Sequence, residues 1–291
     1  MRKPPAEWVL HRILVALDAS PGSLAALAAA VELARQAEAE LEGVFVEDTA
    51  LLSVAEAPHA REIGYHSGEE RPLSPASMER KLRTQSEIAR KALEDAATPA
   101  QVRWSFRTVR GNVVAQLMAA AANADLLAMG KLGWSVGSRF RIGSAAMELA
   151  ESAIPLLLSD SAVRAQGRVC VYFDGSDSAK RSFRVAAQIA ASDSRSVWAL
   201  LAADGTDKIA SLKEALAALA QEMKVQVNYV DLANQTELAD IMSACKHGIF
   251  VVGGPDPLKR LPWLEAAIRE YNVPLLLLRD GINEHGASHA A

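Results

Sequence analysis

RILVALDAS at residues 12–20, repeated in pattern as RVCVYFDGS at residues 168–176, decides the fold. Each stretch is an apolar run of strand length that ends in an Asp and reaches a Ser two residues later. Each is followed by an alanine-rich segment of helical period, at about 21–38 and 177–192. Two closing runs also match, SAIPLLLSD at 152–160 and YNVPLLLLRD at 271–280. Between opening and closing, strands alternate with helices, and the strands are rich in Val and Leu with little polar alternation. Such strands belong to parallel sheets covered on both faces. The sequence predicts an α/β chain of two tandem doubly wound domains, residues 1–160 and 167–281, with a linker between them. The tail at 282–291, rich in Gly, Ala, Ser and His, is expected to be disordered.

The first half is longer than the second. After its second strand (41–47) comes an insertion at about 48–98, whose later part predicts a helix from Ser77 to Ala97 with Met78, Leu82, Ala89 and Leu93 near one face. Its earlier part reads as a polar loop. The insertion is either a lid or partner surface, or a decorating helical arm.

Composition narrows the function. The 291 residues carry a net charge of −4 without any Lys/Arg-rich block, which disfavours a nucleic-acid groove or an anionic-membrane patch. His11 and Arg12 split the apolar N-terminal stretch, and no uncharged run approaches membrane-span length, so a cytoplasmic protein without membrane insertion is expected. The two cysteines, Cys170 and Cys245, lie in or beside apolar runs and read as buried small hydrophobes rather than a redox pair. No metal site is expected from the histidines.

The chemistry is concentrated in MGKLGWSVGSRFRIGS, residues 129–144. Gly130, Gly133, Gly143 and Ser144 have the spacing G-x2-G-x9-G-S, between an apolar run at 125–129 and a helical segment at 144–151. A glycine loop entering a helix start presents unpaired N–H groups, and the missing Cβ atoms allow an anion to approach. The expected guest is a phosphate. The bland alternative is an ordinary left-handed turn with a helix cap. Neither G-x-x-x-x-G-K-[ST] nor G-x-G-x-x-G after the first strand occurs.

With these motifs in view, the chain resembles the universal stress protein family over nearly its whole length, most strongly in the first half. The resemblance implies two Rossmann-like (adenine nucleotide alpha hydrolase-like) domains, each a five-stranded parallel sheet of order 3-2-1-4-5. It implies ATP, with Mg2+ as its counterion, bound in the first domain. The family's loop matches Gly130, Gly133, Gly143 and Ser144, with Met129, Lys131 and Ala145 beside them. Its first-strand Asp matches Asp18, with Ala16 and Leu17 before it, and its adenine-contacting position falls on Val46 in GVFVED. On the residues themselves, Asp18 has two compatible roles, accepting hydrogen bonds from ribose or base donors and capping the helix after Ser20. Val46 offers a β-branched surface to a base face, or is plain core. Lys131, Arg139 and Arg141 are candidate partners for a triphosphate, Arg139 reading more readily as a solvated residue.

The second half departs from this pattern. Its loop, VGGPDPLKRLPW at 252–263, keeps the first glycine but has no Gly-Ser pair, and its three prolines have no N–H to offer. Trp263 stands near the place of the second glycine. One nucleotide per chain is therefore expected. Three functions fit: a nucleotide-binding regulatory module acting on an unidentified protein partner, an enzyme on a related fold, and a scaffold without nucleotide. The enzyme reading lacks H-x-G-H and S-G-G-x-D-S signatures, leaving at most slow ATP hydrolysis, with no catalytic residue to name. The apolar closing runs need covering and are expected to pair within the chain as a pseudo-dimer, with homodimerisation left open.

Overall fold

A computed structural model describes residues 8–63, 68, 70–131, 144–152, 154–160, 167–191, 196–203, 205–232, 240, 242–243, 245, 248–255, 257, 261, 263–264 and 273–279. The opening run forms β1 (Arg12–Ala16), and Ser20 then caps α1 (Pro21–Ala37) by accepting from the Ser23 amide. Pro21 suits the first helical turn, where its missing N–H has no intrahelical partner anyway. The chain continues through β2 (Glu40–Asp48), α2 (Thr49–Glu56), β3 (Arg61–Ile63), β4 (Glu70–Pro72), α3 (Pro75–Ala97), β5 (Trp104–Gly111), α4 (Val113–Ala121), β6 (Leu126–Met129), α5 (Ser144–Ala150) and β7 (Leu156–Leu158). The second half forms β8 (Val169–Phe173), α6 (Asp177–Ala191), β9 (Val197–Leu201), α7 (Thr206–Met223), β10 (Val227–Asp231), β11 (Ile249–Gly253) and β12 (Leu275–Leu278).

Ten of these strands make one sheet, in the order β10-β9-β8-β11-β12-β7-β6-β1-β2-β5. Pairing is parallel within each half. At the centre β7 and β12 meet antiparallel, with Leu156 opposite Leu277, Leu157 opposite Leu276 and Leu158 opposite Leu275. All six leucines are buried, which covers an edge that each half alone would leave open. The order runs 3-2-1-4-5 outward from each half's own strands, so the direction of winding reverses between β1 and β6, and again between β8 and β11. One face is packed by α1, α3, α6 and α7 in a single apolar cluster. The other face carries α4 and α5 with Met242, Cys245, Leu261 and Leu264.

Two expectations are corrected. The helix assigned to the insertion is part of the basic fold. α3 buries Met78, Leu82, Ala89, Leu93 and Ala97 and joins β2 to the parallel strand β5, a connection that needs a crossover helix. Only residues 49–74, which hold α2 and the β3–β4 hairpin, have no counterpart between β9 and β10, where α7 serves alone. Secondly, Cys170 and Cys245 are fully buried but joined as a disulfide. Their 75-residue separation hides a proximity created when β8 pairs with β11. The tail at 282–291 lies outside the described residues.

Candidate functional site

The turn after β1 is built by its own side chains. Asp18 Oδ1 accepts from the Ser20 amide at 2.9 Å, and Ser20 Oγ accepts from the Ser23 amide at 3.1 Å. Between them Ala19 takes a left-handed conformation with φ of 61°. The second half repeats the turn, with Asp174 accepting from Ser176 at 3.0 Å and Gly175 at φ 81° in the left-handed position. Asp18 thus shapes the turn before α1, while the cap expected of it is supplied by Ser20.

At the end of β6, Gly130 meets the first turn of α1. A Cβ there would lie 2.8 Å from the Gly22 carbonyl carbon and 2.9 Å from the Ser23 nitrogen. Close backbone packing therefore demands this glycine, independently of any anion. Lys131 follows, only 4 % exposed, and its amide donates to Asp160 Oδ1 at 2.9 Å. Burial pushes the Lys131 ammonium pKa down from 10.5 to about 8, against the opposing pull of the Asp160 charge.

These segments surround a cavity of about 430 Å³ at the carboxyl ends of β1, β2 and β6. That is the topological switch point, where open α/β sheets receive ligands. Ala16, Leu17, Asp18, Val46, Met129, Gly130, Lys131, Ser144 and Ala145 all line it. Gly133 and Gly143 lie outside the described residues, as do Leu132, Trp134, Arg139 and Arg141. The lid alternative for 48–98 put that segment over the site, but sequence reasoning named no residue of the wall facing β2, where α2 contributes Ala50 and Leu51, α3 contributes Leu82 and Gln85, and α4 contributes Val113. The helical period of 77–97 was a signal for α3, but nothing local showed that this helix overhangs the strand ends. Among the described residues the lining has three carboxylates, on Asp18, Asp48 and Glu148, and one ammonium, on Lys131.

The corresponding place in the second half is differently filled. Strand register and the Asp18–Asp174 match set Tyr172 where the first half has Ala16. The Tyr172 ring centroid lies 6.2 Å from that of Trp263, and Phe250 meets the same indole at 6.2 Å. A small residue beside open space in one half is thus an aromatic packed on aromatics in the other.

The family model described as "Universal stress protein family" matches residues 10–158, just over half of the chain. Among solved structures, a universal stress protein from Archaeoglobus fulgidus DSM 4304 is 17 % identical, with 94 % of this chain and 97 % of that one covered, at a TM-score of 0.68. One described as a putative universal stress protein, from Pseudomonas aeruginosa UCBPP-PA14, is 14 % identical over 94 % of each chain, with a TM-score of 0.57. A shorter universal stress protein in complex with cAMP is 22 % identical over 52 % of this chain and 97 % of its own, with a TM-score of 0.34. No curated protein matches the sequence. The first two likenesses establish the shared fold, and the match to the family model over residues 10–158 establishes membership: the chain belongs to the universal stress protein family.

Proposed function

We propose that the chain binds one adenine nucleotide, ATP with its Mg2+, in the cavity of the first half, and acts as a regulatory module whose bound state is read by a protein partner. The observation that carries this reading is the cavity at the switch point, lined by nine residues chosen from sequence. Its volume of about 430 Å³ falls within the span of roughly 300–1,000 Å³ usual for small-molecule pockets. Val44, Val46, Leu117 and Met129 offer apolar surface to a base and sugar, and Asp18 offers a carboxylate to ribose hydroxyls. Lys131 supplies positive charge for phosphates, and Mg2+ arriving with the nucleotide would offset the three carboxylates. Among the described residues, no group of three or more His, Cys, Asp or Glu side chains is suited to hold a metal without the nucleotide. No helix among them is long and apolar enough to cross a membrane.

The same reading makes the second half a tandem copy without a nucleotide, since Tyr172 and Trp263 pack where the first half is open. Its role is then to complete the sheet through β12, in the manner of a second subunit. The test copies the second half's solution into the first. Ala16→Tyr should fold, as judged by far-UV circular dichroism, and should lose the adenine nucleotide that mass spectrometry finds in the denatured wild-type protein. Titration of the wild type with an ATP analogue should reach one site per chain. Two sites per chain, or undiminished binding by the Ala16→Tyr variant, would overturn the assignment.

A further inference from the structure

We propose that Gln85 is the base-reading residue of this cavity and gives it a preference for adenine over guanine; this rests on the nucleotide-binding reading above. The cavity extends laterally from β6 across β1 to β2. Lys131 stands at the β6 end, so phosphates belong there and the base belongs at the β2 end. That end is an apolar slot formed by Val46, Leu82 and Leu51. Leu51 is 45 % exposed although it lines a cavity, and a planar ring laid in the slot would cover it.

Three polar side chains border this end, and two already have structural work. Asp48 Oδ1 caps α2 by accepting from the Ala50 amide at 2.9 Å. Asn112 Oδ1 caps α4 by accepting from the Ala115 amide at 3.0 Å. The half-buried Gln85 carboxamide makes no hydrogen bond among the described residues, yet it lines the cavity. Its helix is firmly seated, because the next residue, Ser86, is buried and bonds Thr108 of β5 at 2.7 Å between hydroxyl oxygens. Gln85 thus presents one donor group and one acceptor from a fixed rung.

With the N7-bearing edge of the base facing α3, that pair complements adenine alone. Adenine places its N6 amino donor beside the N7 acceptor, and a carboxamide meets both. Guanine places two acceptors, O6 and N7, on the same edge, and a carboxamide can satisfy only one of them. A bidentate contact of this kind separates the two bases by roughly tenfold or more.

The experiment is a fluorescence titration with Mg-ATP and Mg-GTP of the wild type, Gln85→Leu, Gln85→Glu and the Ala16→Tyr control. Wild type is expected to favour ATP. Gln85→Leu should bind ATP about tenfold more weakly, with its ATP-to-GTP ratio falling toward unity; Gln85→Glu, which still accepts from N6 but offers no donor to N7 or to guanine, should weaken both nucleotides and keep a preference for ATP, while circular dichroism stays unchanged. Gln85→Glu is nearly isosteric, so it removes the donor without loss of volume while adding a negative charge to the lining. If the wild type binds ATP and GTP equally, or if Gln85→Leu keeps the wild-type ratio, Gln85 does not read the base, and the cavity assignment stands. If the wild type binds neither nucleotide, both readings fall together.

Discussion

Lys131 is where residue-scale physics makes the sharpest demand. Its ammonium is nearly enclosed, and burial holds its pKa near 8 instead of 10.5. At pH 7 the folded protein therefore carries the full cost of a desolvated charge. Between about pH 8 and 10.5 the unfolded chain binds more protons than the folded one, so stability should rise with pH across that window. Urea unfolding at stepped pH values checks this, and Lys131→Met should flatten the rise. Under the nucleotide proposal, ATP affinity should move the opposite way and weaken above about pH 8, as the positive charge is lost. Ala19 is a smaller case of the same scale. It takes a left-handed conformation that its counterpart Gly175 adopts without a Cβ penalty.

At the scale of elements, α3 carries the larger consequence. Its start lies two residues before the Ser77 expected from sequence: Ser74 accepts from the Ser77 amide at 3.2 Å, while Ser77 Oγ accepts from the Ser74 amide at 3.0 Å. Pro75 occupies the first turn. Ser74→Ala should cost about 0.5–2 kcal/mol of stability in equilibrium urea unfolding, because one amide at the helix start loses its acceptor. The period of apolar residues in α3 was legible, and Met78, Leu82, Ala89 and Leu93 are all buried. Its membership was not. A helix with one apolar face looks the same whether it decorates a domain or bridges two parallel strands; only the pairing of β2 with β5 separates the two. The contribution of Gln85 to the cavity was hidden for this reason.

For the whole molecule, the antiparallel seam between β7 and β12 turns two half-sheets into one. Leu157 and Leu276 face each other across it, and both belong to an apolar cluster that runs through the two halves. Leu276→Ala should destabilise the protein by about 2–5 kcal/mol, since a cavity at the seam cannot easily collapse. Unfolding should remain one transition, coincident by circular dichroism and tryptophan fluorescence. Two separated transitions would show that the halves unfold independently.

Local pattern by itself determined a great deal. Strand and helix runs, the Asp-x-Ser turns at 18–20 and 174–176 and the apolar closing runs all depend on near neighbours in the chain. The choice of Ala16, Asp18, Val46 and Met129 came from the family resemblance, and it agrees with the rule that strand ends converge where winding reverses. Tertiary structure alone decided the rest. The Cys170–Cys245 pairing, the close approach of Gly130 to α1, the overhang of α2 and α3, and the aromatic packing of Trp263 on Tyr172 join residues far apart in the chain. Each is set by how the layers pack, and packing distance has no signature in the order of residues along one segment.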